Sequence, residues 1–187
     1  MAGPISADAG RTLPPPLTLP LLAGYPEALQ AQIRGLLAAG TLGAALLRSY
    51  PDAHTIRNDG ALYAHASALK ARYLRNAPAL AKVAFDNRLQ IDQRALGTLT
   101  SVSRVQGGKL AAKRELRVAA VFKDAPAAML DMIVVHELAH LKEREHNKPF
   151  YALCEHMLPG YQQIEFDLRV WLTLLARQRA EASQALR

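Results

Sequence analysis

The spacing of apolar positions along the chain changes period twice. From Pro26 to Tyr50 an Ala- and Leu-rich run, interrupted by Gly40 and Gly43 and stopped by Pro51, predicts one or two short helices. Asp59 offers an N-cap carboxylate for a further helix over GALYAHASALKARYLRN, which Pro78 closes. After Pro78 the period drops to two. KVAFD, TLTSVSRV and ELRVAAVF, with a Gly107-Gly108 turn between the last two, predict a small antiparallel sheet of about three strands. The helical period then returns. Asp124 as cap and Pro126 in the first turn open a helix that runs to about Glu143. Asn147 can cap a short helix from Lys148, and GYQQIEFDLRVWLTLLARQRA makes a last one. Internal repeats and heptad runs are lacking, so the pattern predicts an α+β architecture, with helices before and after one small sheet.

The helix before Glu143 carries polar groups where its pattern has no room for them. From Ala125 to Leu141 it is apolar almost throughout, which predicts burial, yet it holds His136, Glu137 and His140. Burying two imidazoles and a carboxylate without partners costs several kcal/mol. A bound metal removes that cost. His136 and His140 lie four residues apart, about 40° in azimuth and roughly 6 Å in rise, so both rings reach one point above the helix. Glu137 points to the side, where it can hold and deprotonate a water beside the metal without being a ligand. By this chain's own composition a chance His-acid-x-x-His arises with a probability of roughly 2%.

A catalytic zinc has three protein ligands and one open position. The nearest third candidate is His146, with Glu155 and His156 as rivals on the next helix. On an unbroken helix His146 would stand about 15 Å from His136, beyond reach of a common ion. The helix must therefore end between His140 and His146, within KERE, and the sequence offers no glycine there to ease the turn.

Charge adds a second theme. Of the formal net charge of +7, a surplus of +5 falls between Ala77 and Ala125. Such a segment is a solvated basic face or a site for an anion. The turn around Gly107-Gly108 can present backbone amides together with Arg104 and Lys109 to an anionic group, or be a plain hairpin turn. The strands carry almost no aromatic platform for stacking, which argues against single-strand binding and makes nucleic acid an unexpected partner. One cysteine, Cys154, excludes an intrachain disulfide and reads as buried apolar filler. Pro14, Pro15, Pro16 and Pro20 break any signal-peptide core, and no apolar run reaches the roughly 20 residues of a membrane helix. A cytoplasmic protein is expected, with a disordered tail over 1–18 and one domain over 19–187, divided into helical 19–77, sheet 78–123 and helical 124–187.

With these residues in hand, the chain resembles the YgjP-like family of small zinc-peptidase-like proteins, relatives of the SprT and WLM groups. The similarity runs from GYPEAL at Gly24 to FDLRVWLTLL near Leu175 and includes DGALYAHASALKARYLRNAP, SVSRVQGGKLAAKRELRVAAVF, MIVVHELAHLKEREHNKPFYALCEHMLPGY and EFDLR. The resemblance implies a zincin-like fold, a small sheet over an active-site helix. It also implies His136, His140 and His146 as zinc ligands and Glu137 as general base. Where the SprT and WLM relatives have an Arg-Trp-Gly-Ser-Cys type of segment, this chain has Arg104 to Lys109, so the departure lies on the substrate side. The expected function is a metal-dependent hydrolase, a peptidase by resemblance. The alternative substrate is a small anion such as the phosphoanhydride of a nucleoside triphosphate; a nucleic-acid-binding module with an inert metal site is a further alternative. Arg104, Lys109 and Tyr151 are the expected substrate contacts. Tyr151 and Tyr161 can stabilise an oxyanion or simply pack, His54 and His65 read as ordinary surface or helix-face residues, and Phe166 and Trp171 as core.

Overall fold

A computed structural model describes residues 18–89, 97–106 and 109–186, without the side chains of 101–106 and 109–113. All but the last residue of the expected N-terminal tail, and the Gly107-Gly108 turn, lie outside the described residues. In chain order the elements are α1 (Glu27–Ala38), α2 (Leu42–Ser49), α3 (Asp59–Tyr73), β1 (Leu80–Asp86), β2 (Gly97–Gln106), β3 (Lys109–Ala119), α4 (Ala127–Ala139), α5 (Lys148–Met157) and α6 (Tyr161–Ala185). The order is α+β, with three strands between two groups of helices, in keeping with a zincin-like fold.

The sheet is mixed, not antiparallel throughout. β2 and β3 form the expected hairpin, in register from Gly97 opposite Val118 to Gln106 opposite Lys109. β1 lies on the other side of β3 and runs parallel to it, with Val83 opposite Leu116 and Phe85 opposite Val118. The two-residue connection ties only β2 to β3. The longer 87–96 connection leaves β1 free to choose a neighbour, and alternation within a strand carries no information on direction. The last strand ends three residues before its pattern does, because Ala120–Asp124 winds into a 3-10 turn that buries Phe122.

Both expected acidic caps are replaced by neighbours. On α3 the cap is Asn58, whose Oδ1 accepts the Ala61 amide at 2.9 Å, while Oδ1 of Asp59 accepts the Phe85 amide and ties α3 to β1. Asp124 does not cap α4. It is held in the 3-10 turn with its carboxylate facing Arg57 at 3.5 Å, and α4 starts behind Pro126. The Ala127 amide donates to the carbonyl of Asp52 at 2.9 Å, so the loop before α3 satisfies the helix start.

α4 is the centre of the molecule. It packs against α3, α5 and α6 and against β2 and β3. Met129, Leu130, Val134, Leu138 and Ala139 are wholly buried, which explains why this helix has no polar face. Its register on α3 is pinned by His65 Nε2 and Asp131 Oδ1 at 2.7 Å. His54 is likewise engaged, between the Phe122 carbonyl and the Ile56 amide. Phe166 and Trp171 are half-buried at the core's edge, against Tyr25 and Phe122.

Candidate metal centre

α4 stops where the third histidine needs it to stop. His140 is its C-cap residue, with φ −65° and ψ −12°, and the amides of Leu141, Lys142 and Glu143 fold back onto the carbonyls of Leu138 and Ala139 at 2.9–3.0 Å. Among the described residues positive φ occurs only at Gly40 and Gly160, so the chain turns through KERE in ordinary right-handed geometry without a glycine. Asn147 then caps α5, its Oδ1 accepting the Phe150 amide at 3.1 Å. Between the two helix ends the chain doubles back and brings Nε2 of His146 to 3.1 Å from Nε2 of His136.

One nitrogen from each of His136, His140 and His146 lies within 4.8 Å of the other two. The remaining nitrogens of the helical pair are engaged. Nδ1 of His136 is 2.7 Å from Oη of Tyr161, and Nδ1 of His140 is 3.0 Å from the Glu143 carbonyl. A carbonyl can only accept, so Nδ1 of His140 carries its proton and Nε2 is left as a lone pair. The same tautomer at His136 donates Nδ1–H to Tyr161 and frees its Nε2. Neighbouring nitrogens around a tetrahedral zinc stand roughly 3.3 Å apart, so the triad needs only small movements to close on an ion. Three imidazole nitrogens that converge are a donor set suited to zinc. The residues present therefore fit a metal ion.

The surroundings favour the neutral form at His136 and His140. Burial, then the charges of His140, His146 and Arg169, hold the His136 pKa down at about 3. Burial likewise lowers that of His140. Beneath the triad lies Phe150, wholly buried, its ring centroid 5.0, 4.8 and 4.7 Å from those of His136, His140 and His146. His146 covers the exposed side.

Glu137 is 4% exposed and wedged between α4 and the start of β2. Burial pushes its carboxyl up to about 8, against a lowering by the backbone amide of Leu99.

The rival ligands are occupied elsewhere. Oε1 of Glu155 accepts the Gly160 amide at 2.6 Å, and His156 packs edge-on against Tyr73. Cys154 is wholly buried beside Tyr161, and burial raises its thiol to about 12, so it stays protonated and apolar in character. Tyr151 is half-buried, its ring 6.5 Å from that of His146. Arg104 lies about 23 Å along β2 from Gly97 and Lys109, opposite Gln106, about 30 Å, and their side chains lie outside the described residues.

Four residues of the site escape a reading for motifs: Tyr161 as a partner of His136, Phe150 as the floor, Gly97 against Glu137, and Arg169. Arg169 reaches from α6, with Nη2 on Glu165 at 2.7 Å and a buried Nε that has no partner among the described residues. The quoted segment EFDLR contains it, but nothing local marks its arginine as one whose charge is felt at a histidine on another helix.

Comparison with known proteins follows the same residues. The model of the YgjP-like, metallopeptidase domain family matches residues 82–170, which spans the sheet, the histidine triad and Arg169. The chain is 55% identical over 158 residues to a UTP pyrophosphatase of Escherichia coli (strain K12), covering 84% of this chain and 95% of that protein. No solved structure matches.

Proposed function

The chain belongs to the YgjP-like family and is a metal-dependent hydrolase; from that premise we propose that it hydrolyses nucleoside triphosphates, UTP foremost, at the α–β phosphoanhydride. Water adds across the bond, releasing pyrophosphate and the nucleoside monophosphate. The observation that carries this reading is the identity to the UTP pyrophosphatase across nearly the whole of both chains.

In this reading His136, His140 and His146 hold the ion, and zinc is the ion assigned to them. When bound, it lowers the pKa of a water towards about 7 and polarises the phosphoryl oxygen. The chain's own residues do the rest. Tyr161 and the Glu143 carbonyl keep His136 and His140 in the ligating tautomer. Glu137 accepts the proton of the attacking water and passes it to the leaving pyrophosphate oxygen. Arg169, whose charge is felt at His136, and Tyr151, whose ring lies 6.5 Å from that of His146, are assigned to compensate the phosphates. Arg104 and Lys109, at the far end of the hairpin, act as long-range attraction for a polyanion.

A second reading, peptide hydrolysis, draws on the family's domain description and on β2, the edge strand of the described sheet, which an extended peptide can join. The deciding experiment assays the metal-loaded protein with UTP, other nucleoside triphosphates and a peptide panel, with and without chelator, alongside metal analysis. Chelator-sensitive release of pyrophosphate from UTP is expected. Peptide cleavage with every nucleotide intact would replace the first reading by the second.

A further inference from the structure

Gly97 opens β2, buried and paired with Val118 of β3. Its φ is not positive, so the backbone there does not ask for glycine. Space does. A Cβ built on Gly97 would stand 2.6 Å from Oε1 of Glu137, 2.8 Å from its Cγ and 3.0 Å from its Cδ. Real Cβ atoms essentially never approach another heavy atom so closely. The three nearest neighbours of that missing atom all belong to one side chain, that of Glu137. Two residues along the same strand, the backbone amide of Leu99 draws the pKa of the carboxyl down. The start of β2 is thus a cradle: bare backbone at Gly97 beneath the carboxyl, and an N–H beyond it.

We infer that Gly97 is a positioning residue, the absence of its side chain letting β2 lie directly on Glu137 and fix where its carboxylate sits. The role rests on Glu137 acting as the base in the hydrolysis proposed above. Any side chain at position 97 pushes the carboxyl out of the cradle and leaves the three histidines, which approach the ion from α4 and the KERE turn, in place. Gly97 therefore serves the proton transfer and not the holding of the ion.

The test is a double-mutant cycle of Gly97→Ala with Glu137→Ala, read by turnover, metal stoichiometry and thermal midpoint. In the parent background Gly97→Ala is expected to lower kcat for UTP at least 100-fold, with KM within about twofold and one ion still bound. It also lowers the thermal midpoint there. In the Glu137→Ala background, where Oε1, Cγ and Cδ are gone, the same substitution leaves the midpoint unchanged. Parental turnover by Gly97→Ala, or an equal drop in midpoint in both backgrounds, overturns the inference. If Gly97→Ala alone does not fold, the double variant decides. A fold as stable as that of Glu137→Ala supports the cradle, and failure to fold again overturns it. If the parent hydrolyses no nucleotide, the substrate reading fails by itself, and the stability cycle still decides what Gly97 is for.

Discussion

Tyr161 determines which nitrogen His136 can offer. Its hydroxyl is buried, 2.7 Å from Nδ1, and burial keeps it protonated well above its ordinary range. Replacing it by Phe removes the acceptor and frees the ring to change tautomer. Metal affinity of Tyr161→Phe is expected to fall about 10- to 100-fold with the fold retained, measured by competition with a chromophoric chelator. An unchanged affinity would mean that the ligating tautomer is set elsewhere. Glu137, proposed as base and not as ligand, carries a different burden. Glu137→Gln should bind metal as the parent does and lose about 10²- to 10⁴-fold in kcat, and equal turnover ends its role as base. At this scale the motif residues were legible because their spacing along one helix is enough to group them. Tyr161 was legible only as a tyrosine that could pack or face an oxyanion, because nothing within its own helix refers to α4.

The end of α4 is what turns a two-histidine helix into a three-histidine site. A helix rises about 1.5 Å per residue, so the need for a stop before His146 follows from the sequence alone. How the stop is made does not. The chain uses a right-handed turn over Ala139 and then restarts at Asn147, whose side chain closes the first turn of α5 and so seats both His146 and Phe150. Asn147→Ala should cost about 1 kcal/mol of stability, seen by denaturant unfolding. It should also weaken metal binding, because His146 loses its anchor. A stability loss with no change in metal affinity would show that the turn holds His146 unaided. Capping was misread at Asp59 and Asp124 for one physical reason. An acid near a helix start can serve that helix or a neighbour, and here Asp59 serves β1 and Asp124 faces Arg57.

Across the molecule, charge is placed as counter-charge as well as surface. Asp86, at the end of β1, is 9% exposed and takes hydrogen bonds from the Arg88 amide and guanidinium and from Arg117. The bonds from Arg88, side chain first, and that from Arg117 lower its pKa from 3.8 to about 2. A carboxyl with a lowered folded-state pKa stabilises above its unfolded value and stops doing so as pH falls through the folded one. The parent should therefore be more stable than Asp86→Asn at pH 7, with the difference vanishing between about pH 4 and pH 2 in thermal unfolding scans. A gap that persists at pH 2 would assign the effect to packing. Part of the basic surplus between Ala77 and Ala125 is thus spent on the sheet. What the sequence by itself determined was local: the order of elements, the buried helix, and His136, Glu137 and His140 on one face of it, because rise and azimuth depend only on neighbours in the chain. Only the tertiary structure decided the direction of β1, the return of His146, the contact with Tyr161, the place of Phe150 and the close approach of Glu137 to Gly97. Each of these is a contact between residues on different elements, and the pattern of either element alone contains no reference to the other.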